Sequence, residues 1–278
     1  MKNLSKIVAT AGTAFLTVAF WGNQPTLAQT QIGTTEVPLN GVRNDIRTQE
    51  TNLGNLIADS LLWQASQFPA ILDPSNADVA LINSGGIRNN SIIPPGSLTD
   101  ADISNILPFP GDLVVFPTIN ASTFKDILEN AVSQVESVDG RFAQIAGFSF
   151  DYAASLTPGD RIQSVTLDNG TELVRNGSVV TAAPSVSIAT IHFLATGGDD
   201  YSFGGASSTD LNIAYQQALT NYITNSLGGT VTAADYPAGG EGRITATAVP
   251  ENTSTFSLLG LGVLGAASAL KKKQASCK

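Results

Sequence analysis

This chain has one histidine, His192, and one cysteine, Cys277, among 278 residues. A lone imidazole closes most histidine-dependent and dinuclear-metal chemistry to the chain acting alone. Cys277 stands next to the C-terminus, so the body of the chain has no disulfide and no thiolate metal site and is held by packing. No Gly-x-Ser-x-Gly elbow is present, and His192 would be the sole base for a serine nucleophile. Positive charge is scarce as well. Between residues 29 and 250 there are 22 Asp/Glu against 8 Lys/Arg, a formal charge of −14. That balance disfavours nucleic-acid polymers and anionic membrane surfaces as partners, and a small anion bound here needs a local basic pocket.

The two ends read as processing signals. Lys2 and Lys6 precede an apolar run from Ile7 to Trp21, and Thr26-Leu27-Ala28 places small side chains where a signal peptidase reads, so residues 1–28 are expected to be an export signal peptide. The alternative, a membrane anchor, needs about 20 apolar residues, more than this run supplies. At the other end, Val249-Pro250-Glu251-Asn252 leads into the apolar segment Phe256 to Leu270, closed by Lys271-Lys272-Lys273. A helix of that length reaches only some 22 Å against a hydrocarbon core of about 30 Å, which suits a transient anchor. The order resembles the PEP-CTERM sorting signal of exported bacterial proteins, although Asn252 stands where that signal usually has a second proline. A simple tail anchor is the competing reading of 249–278.

The intervening body, about 220 residues, is enough for one well-buried domain or two small ones, and one is expected. No internal repeat or long low-complexity linker interrupts it. After Thr51 or Asn52 as cap, Leu53, Leu56, Ile57, Ser60 and Leu61 fall at helical spacing, and Val79 to Ile82 read as a buried strand. Thr123 caps an expected helix carrying Phe124, Ile127, Leu128, Ala131 and Val135. Leu211, Ala214, Tyr215, Ala218, Leu219, Tyr222 and Ile223 form a second amphipathic stripe. Phe148, Phe150 and Tyr152 alternate as a strand does, and Asp168-Asn169-Gly170 marks a turn. Several strands and at least three helices in no strict βαβ order predict an α+β fold.

Two segments carry chemistry. Leu81 to Arg88 runs from an apolar strand into paired glycines and then an arginine. Ile191 to Tyr201 repeats the design, with Phe193 before the glycines and Asp199 after them. Arg43 and Arg47 are four apart, and with Arg88 they could give forked, charge-assisted bonds to a phosphate or carboxylate; the bland reading is a solvated face pairing Asp45 or Glu50. Phe109, stiffened by Pro108 and Pro110, and Phe193 can clamp a planar base between them; the bland reading is ordinary core burial. Asp199 can accept hydrogen bonds from ribose hydroxyls, or merely serve as a cap or turn residue.

Four ordered motifs make a family resemblance specific: Arg-x-x-x-Arg-x-x-x-Thr-Asn-Leu-Gly at 43–54, Asn-Ser-Gly-Gly-Ile-Arg at 83–88, Leu-Pro-Phe at 107–109 and Phe-Leu-Ala-Thr-Gly-Gly-Asp at 193–199. From Asn40 to Ala246 the chain resembles the C-terminal, substrate-binding domain of the 5′-nucleotidase family, which includes bacterial UDP-sugar hydrolases and animal ecto-5′-nucleotidases. The resemblance implies mixed sheets with packed helices, layered α/β/β/α, over residues 29–248. It also implies that Arg43, Arg47 and Arg88 hold phosphates, with Asn83 beside them, that Phe109 and Phe193 sandwich the base, and that Asp199 holds the ribose. Asp200 replaces the family's usual glycine and His192 its usual asparagine. The family's catalytic machinery is an N-terminal metallophosphoesterase domain with two metal ions, on Asp-x-His, Gly-Asn-His-Asp/Glu and His-x-His motifs, and none of these is present. The resemblance therefore assigns no catalytic residue, metal or other cofactor to this chain; divalent metals would enter only with a separate catalytic domain.

Three functions are open to such a chain. It is an exported nucleotide- or nucleotide-sugar-binding module that does not hydrolyse its ligand alone, in the periplasm, at the cell surface or outside the cell. Alternatively it is the binding half of a split 5′-nucleotidase, joined by a metallophosphoesterase subunit, or a surface protein that kept the fold and lost the ligand. Intact-mass analysis from the native host checks the two ends: residues 1–28 are expected to be missing and the chain to end near Pro250-Glu251. A mature protein that keeps Lys2, or that keeps Lys271 to Lys273, overturns the corresponding signal.

Overall fold

The helix expected after Thr51 runs over Asn52–Ser66, and it starts there because the Thr51 side chain accepts from the Gly54 N–H, satisfying a first-turn donor that has no intrahelical partner. The computed structural model describes residues 29–73 and 77–247. The export and sorting signals read at 1–28 and 249–278 lie outside the described residues. No helix among the described residues is long and apolar enough to cross a membrane.

The core sheet has five strands in the order Thr209–Ala214, Asp112–Ile119, Val186–Ile191, Ala77–Asn83, Ala143–Ala146. Val186–Ile191 and Ala77–Asn83 are parallel, with Ile188 opposite Val79, and the other three pairings are antiparallel. All six residues of Val186–Ile191 are buried, as are Val79 to Asn83. Covered on both faces, such central strands read as unbroken apolar runs and show no alternation. The Asn52–Ser66 helix packs on Ala77–Asn83 and Ala143–Ala146, alongside the Tyr215–Asn221 helix.

A second mixed sheet runs Ser178–Val179, Glu172–Arg175, Ile162–Leu167, Phe148–Tyr152, Ile244–Ala246. Here the alternation is clean: Phe148, Phe150 and Tyr152 are buried and the residues between them are half-buried. The turn at Asp168-Asn169-Gly170 forms with Gly170 at φ +84, its N–H donating to the Leu167 carbonyl. The Ala121–Val132 helix packs on this sheet, with Phe124 edge-on to Phe148. The last strand is pinned by the Glu50 carboxylate, which accepts from the Glu241, Arg243 and Ile244 N–H groups, and by Arg243, which forks onto Asp59 at 2.6 and 2.9 Å. The described chain is therefore α+β, with mixed sheets and packed helices.

Two boundaries differ from the sequence expectation. The Ala121–Val132 helix is capped by Asn120, whose side chain accepts from the Thr123 N–H, so Thr123 is the third helical residue, and Val135 lies beyond the helix in a short 3-10 turn. Leu211 and Ala214 are not helical. They belong to the strand Thr209–Ala214, which pairs along Asp112–Ile119, and the helix begins only at Tyr215. The register of that pair breaks between Asp210 and Ala214, where Asn212 adopts φ +53. A bulge of this kind re-aims side chains so that a strand can mimic helical spacing.

Buried polar side chains stitch the layers together. Gln144 is fully buried; its Nε2 donates to the Ile46 and Gln49 carbonyls at 2.9 Å each, and its Oε1 accepts from the Thr51 N–H at 3.2 Å. Gly54 packs directly on it, where a Cβ would collide with the Gln144 side chain. Gln144→Leu keeps the volume but strands three backbone groups, so a loss of about 2–4 kcal/mol in unfolding free energy is expected by denaturant titration. A loss below about 1 kcal/mol would mean that these groups find water instead.

Candidate functional site

One end of the core sheet gathers the motifs. Because Val186–Ile191 and Ala77–Asn83 are parallel, their C-terminal ends lie together, and the antiparallel neighbours place the starts of Asp112–Ile119 and Ala143–Ala146 at the same end. Ala214 pairs with Asp112, so Tyr215 arrives there too. The loops at this end enclose a cavity of about 620 Å³. Arg43, Arg47, Asn83, Arg88, Phe109, Phe193 and Asp199 all line it, so the seven residues singled out in the sequence share one site although they span more than half the chain.

Arg43 and Arg47 sit on and just after a one-turn helix, Arg43–Ile46. This segment is tied down through Asn90, which accepts from the Arg43 N–H, and through Gln144. Arg47 is only 6% exposed. Its Nη1 donates to the Val138 carbonyl at 3.3 Å and its Nε is buried without a partner. Val138 holds φ +54, an unusual conformation for a β-branched residue. Burial first, then the charges of Arg43 and Arg88, push the Arg47 guanidinium below its ordinary pKa, with Asp139 and Asp199 opposing. Three cations thus converge with too little counter-charge, which is the arrangement an anion relieves.

Opposite Arg47, Gly85 and Gly140 face one another. The Gly85 N–H donates to the Gly140 carbonyl at 2.7 Å, and a Cβ on Gly140 would sit 3.0 Å from the Gly85 Cα and 3.6 Å from Arg47 Nη2. The two facing glycines therefore let the two backbone segments of this wall approach closely beside the arginine. Asn83, buried at the strand end, donates from Nδ2 to Asp199 Oδ2 at 2.6 Å, while its Oδ1 has no partner. Asp199 and Asp200 stand at φ +52 and φ +60, so Asp200 adopts a backbone conformation that glycine reaches without strain.

The two phenylalanines are not core residues. Phe109 is 45% and Phe193 49% exposed, whereas Phe116, Phe124, Phe142, Phe148, Phe150 and Phe203 are buried. Gln216 holds the Phe109 loop by donating to the Leu107 and Phe109 carbonyls at 2.9 and 2.6 Å. The Arg88 guanidinium lies 5.0 Å over the Phe109 ring. Phe193 sits on the one-turn helix His192–Ala195 and lies against Gly198, where a Cβ would come within 2.5 Å of its ring.

Some lining residues escaped the sequence reading. Asp139 and Gly140 form a turn before Ala143–Ala146, an Asp-Gly signal that was there to be read. Burial opposes ionisation of Asp139, but hydrogen bonds and charge from Arg141, with Arg47, hold its carboxyl below the usual range. Tyr215 looked like one more residue of a helical stripe; burial pushes its phenol up to about 12. His192 lies outside the lining, exposed, with Nδ1 3.5 Å from Asp210 Oδ2. Among the described residues no group of three or more His, Cys, Asp or Glu is placed to hold a metal ion.

The model of the 5′-nucleotidase C-terminal domain matches residues 31–204. Over 187 residues, 66% of this chain, it is 33% identical to the trifunctional nucleotide phosphoesterase protein YfkN of Bacillus subtilis, of which it spans 12%. It is 30% identical over 194 residues to the snake venom 5′-nucleotidase of Macrovipera lebetinus, covering 66% of this chain and 45% of the relative. The chain thus spans less than half the length of these relatives. A 5′-nucleotidase precursor from Thermus thermophilus superposes with a TM-score of 0.66 at 29% identity, over 80% of this chain and 40% of that one. The Haemophilus influenzae NAD nucleotidase shares the fold at a TM-score of 0.60 and 18% identity.

The cation cluster gives a direct test. Arg47 is a charge whose burial beside the like charges of Arg43 and Arg88 costs stability. In anion-free buffer Arg47→Met is expected to be as stable as the unaltered protein or up to about 1 kcal/mol more so. Added inorganic phosphate is expected to raise the melting temperature of the unaltered protein but not of the variant. A variant that is markedly destabilised without anion would show Arg47 to be a structural residue.

Proposed function

Because this chain belongs to the 5′-nucleotidase C-terminal domain family, we propose that it is an exported nucleotide-binding domain that does not hydrolyse its ligand alone. Arg43, Arg47 and Arg88 hold the phosphates, Asn83 lies beside them, Phe109 and Phe193 grip the base, and Asp199 takes the ribose hydroxyls. The observation that carries this reading is a single cavity in which a buried, under-paired guanidinium and two exposed ones meet two half-exposed phenylalanines. Guanidinium charge beside exposed flat apolar rings suits a ligand that is itself an anion joined to a planar ring. The export reading rests on residues 1–28 and their resemblance to a signal peptide.

A second reading keeps the same site and makes the chain the binding half of a hydrolase that works with a separate metallophosphoesterase. What favours it is length: the nucleotide-hydrolysing relatives by name are matched over 12% and 45% of their own extent. Their chemistry then belongs with residues this match does not include, and divalent metal would come with those residues.

Calorimetry with AMP, UDP-glucose and inorganic phosphate tests the binding. Arg88→Ala is expected to cost about 1.5–3 kcal/mol toward AMP, with affinity falling as salt rises. Phe109→Ala or Phe193→Ala is expected to cost about 1–3 kcal/mol toward AMP and almost nothing toward phosphate. No binding of any of the three ligands by a folded protein sinks the proposal. In parallel, no phosphate release above background is expected with added divalent metal; metal-dependent turnover by the pure chain would sink the claim that it cannot hydrolyse alone.

A further inference from the structure

We infer that Arg141 is a positioning residue of this site: from outside the cavity it locks the Asp199–Tyr201 turn, and so sets the Asp199 carboxylate where the ligand meets it. The inference rests on the proposed nucleotide reading for its binding consequence, and on geometry alone for the turn.

Asp199 and Asp200 are consecutive non-glycine residues in the left-handed region, a conformation that persists only where the surroundings impose it. Arg141 supplies three of the restraints. Its Nη2 donates to Asp200 Oδ2 at 3.1 Å. Its own carbonyl accepts from the buried Tyr201 hydroxyl at 2.7 Å. Its Nη1 donates to Asn130 Oδ1 at 3.2 Å, which leaves the Asn130 Nδ2 to donate to the Asp199 carbonyl at 3.0 Å. The guanidinium is itself anchored, with Nη1 also 3.4 Å from Ser133 Oγ and Nε 3.0 Å from Asp139 Oδ1. Its side chain is 14% exposed, against 81% for Asp200. The pair with Asp200 alone would be weak at that exposure. The force of the arrangement is convergence: one planar fork ties the Ala121–Val132 helix, the Asp139 turn and the Asp199–Tyr201 turn together, which a lysine cannot do.

The test uses the unaltered protein, Arg141→Gln, Arg141→Lys, Asp199→Ala and the double variant R141Q/D199A, each titrated with AMP and with inorganic phosphate. Arg141→Gln is expected to weaken AMP about tenfold and phosphate less than about twofold, and Arg141→Lys to recover part of the loss. The double variant is expected to bind AMP as Asp199→Ala does, because the arginine acts through that carboxylate. Equal losses on both probes, or a further loss in the double variant, would overturn the inference. Without ligand, the Tyr201 amide, which donates to the Gly198 carbonyl at 3.2 Å, is expected to exchange its hydrogen about ten times faster in Arg141→Gln; unchanged exchange overturns it as well. If the unaltered protein binds no AMP, the proposed function fails and the exchange measurement alone decides the role of Arg141. If Arg141→Gln does not fold, Arg141→Lys carries both arms, with smaller effects of the same sign.

Discussion

The fully buried amide of Gln144 fixes where the arginines stand. Backbone groups turned into a dry interior need partners, and the chain between Ile46 and Thr51, too tightly bent to satisfy its own, presents two carbonyls and one N–H to this side chain. Gln144 belongs to the edge strand of the core sheet, so the sheet, the arginine-bearing turn and the start of the Asn52–Ser66 helix become one unit. Thr51 serves twice, donating its N–H to Gln144 Oε1 and accepting from the Gly54 N–H on its hydroxyl oxygen. With that unit rigid, Arg47 is held over the Gly85–Gly140 contact and does not swing out to solvent.

Charge sets the second constraint. The body is strongly acidic, yet three of its eight basic side chains meet in one cavity. Asp139, Asp199 and Asp200 would weaken an anion site if left to themselves, and each is engaged: Asp139 and Asp200 with Arg141, Asp199 with Asn83. Arg47 keeps an unpaired Nε and a depressed pKa. The carboxylates nearby are spent on positioning and the guanidinium is left wanting a partner, so the local field favours a small anion although the global field opposes large ones.

Much of the fold was legible because its strongest signals are local. The Thr51 cap, the apolar run from Val79, the alternation from Phe148 to Tyr152 and the Asp168 to Gly170 turn each follow from backbone geometry within a few residues. The stripe from Leu211 to Ile223 misled because a bulged strand running into a helix kept apolar side chains near helical spacing. The helix cap at Asn120 was displaced to Thr123 because both residue types cap well and only the hydrogen bond distinguishes them.

The sequence by itself determined which residue types stand at glycine-rich strand ends, that the body contains no cysteine to form a disulfide, and that one histidine is present among 278 residues. Those are properties of composition and of neighbours along the chain. Only the tertiary structure decided that Arg43, Arg47, Asn83, Arg88, Phe109, Phe193 and Asp199 share a cavity, because that depends on which strand ends a mixed sheet brings to one edge. It also decided between readings that residue type leaves open: Phe109 and Phe193 are exposed while other phenylalanines are buried, and Arg47 is buried while Arg43 and Arg88 are not. Exposure and hydrogen-bond partners are set by contacts far apart in the chain, and no local spacing encodes them.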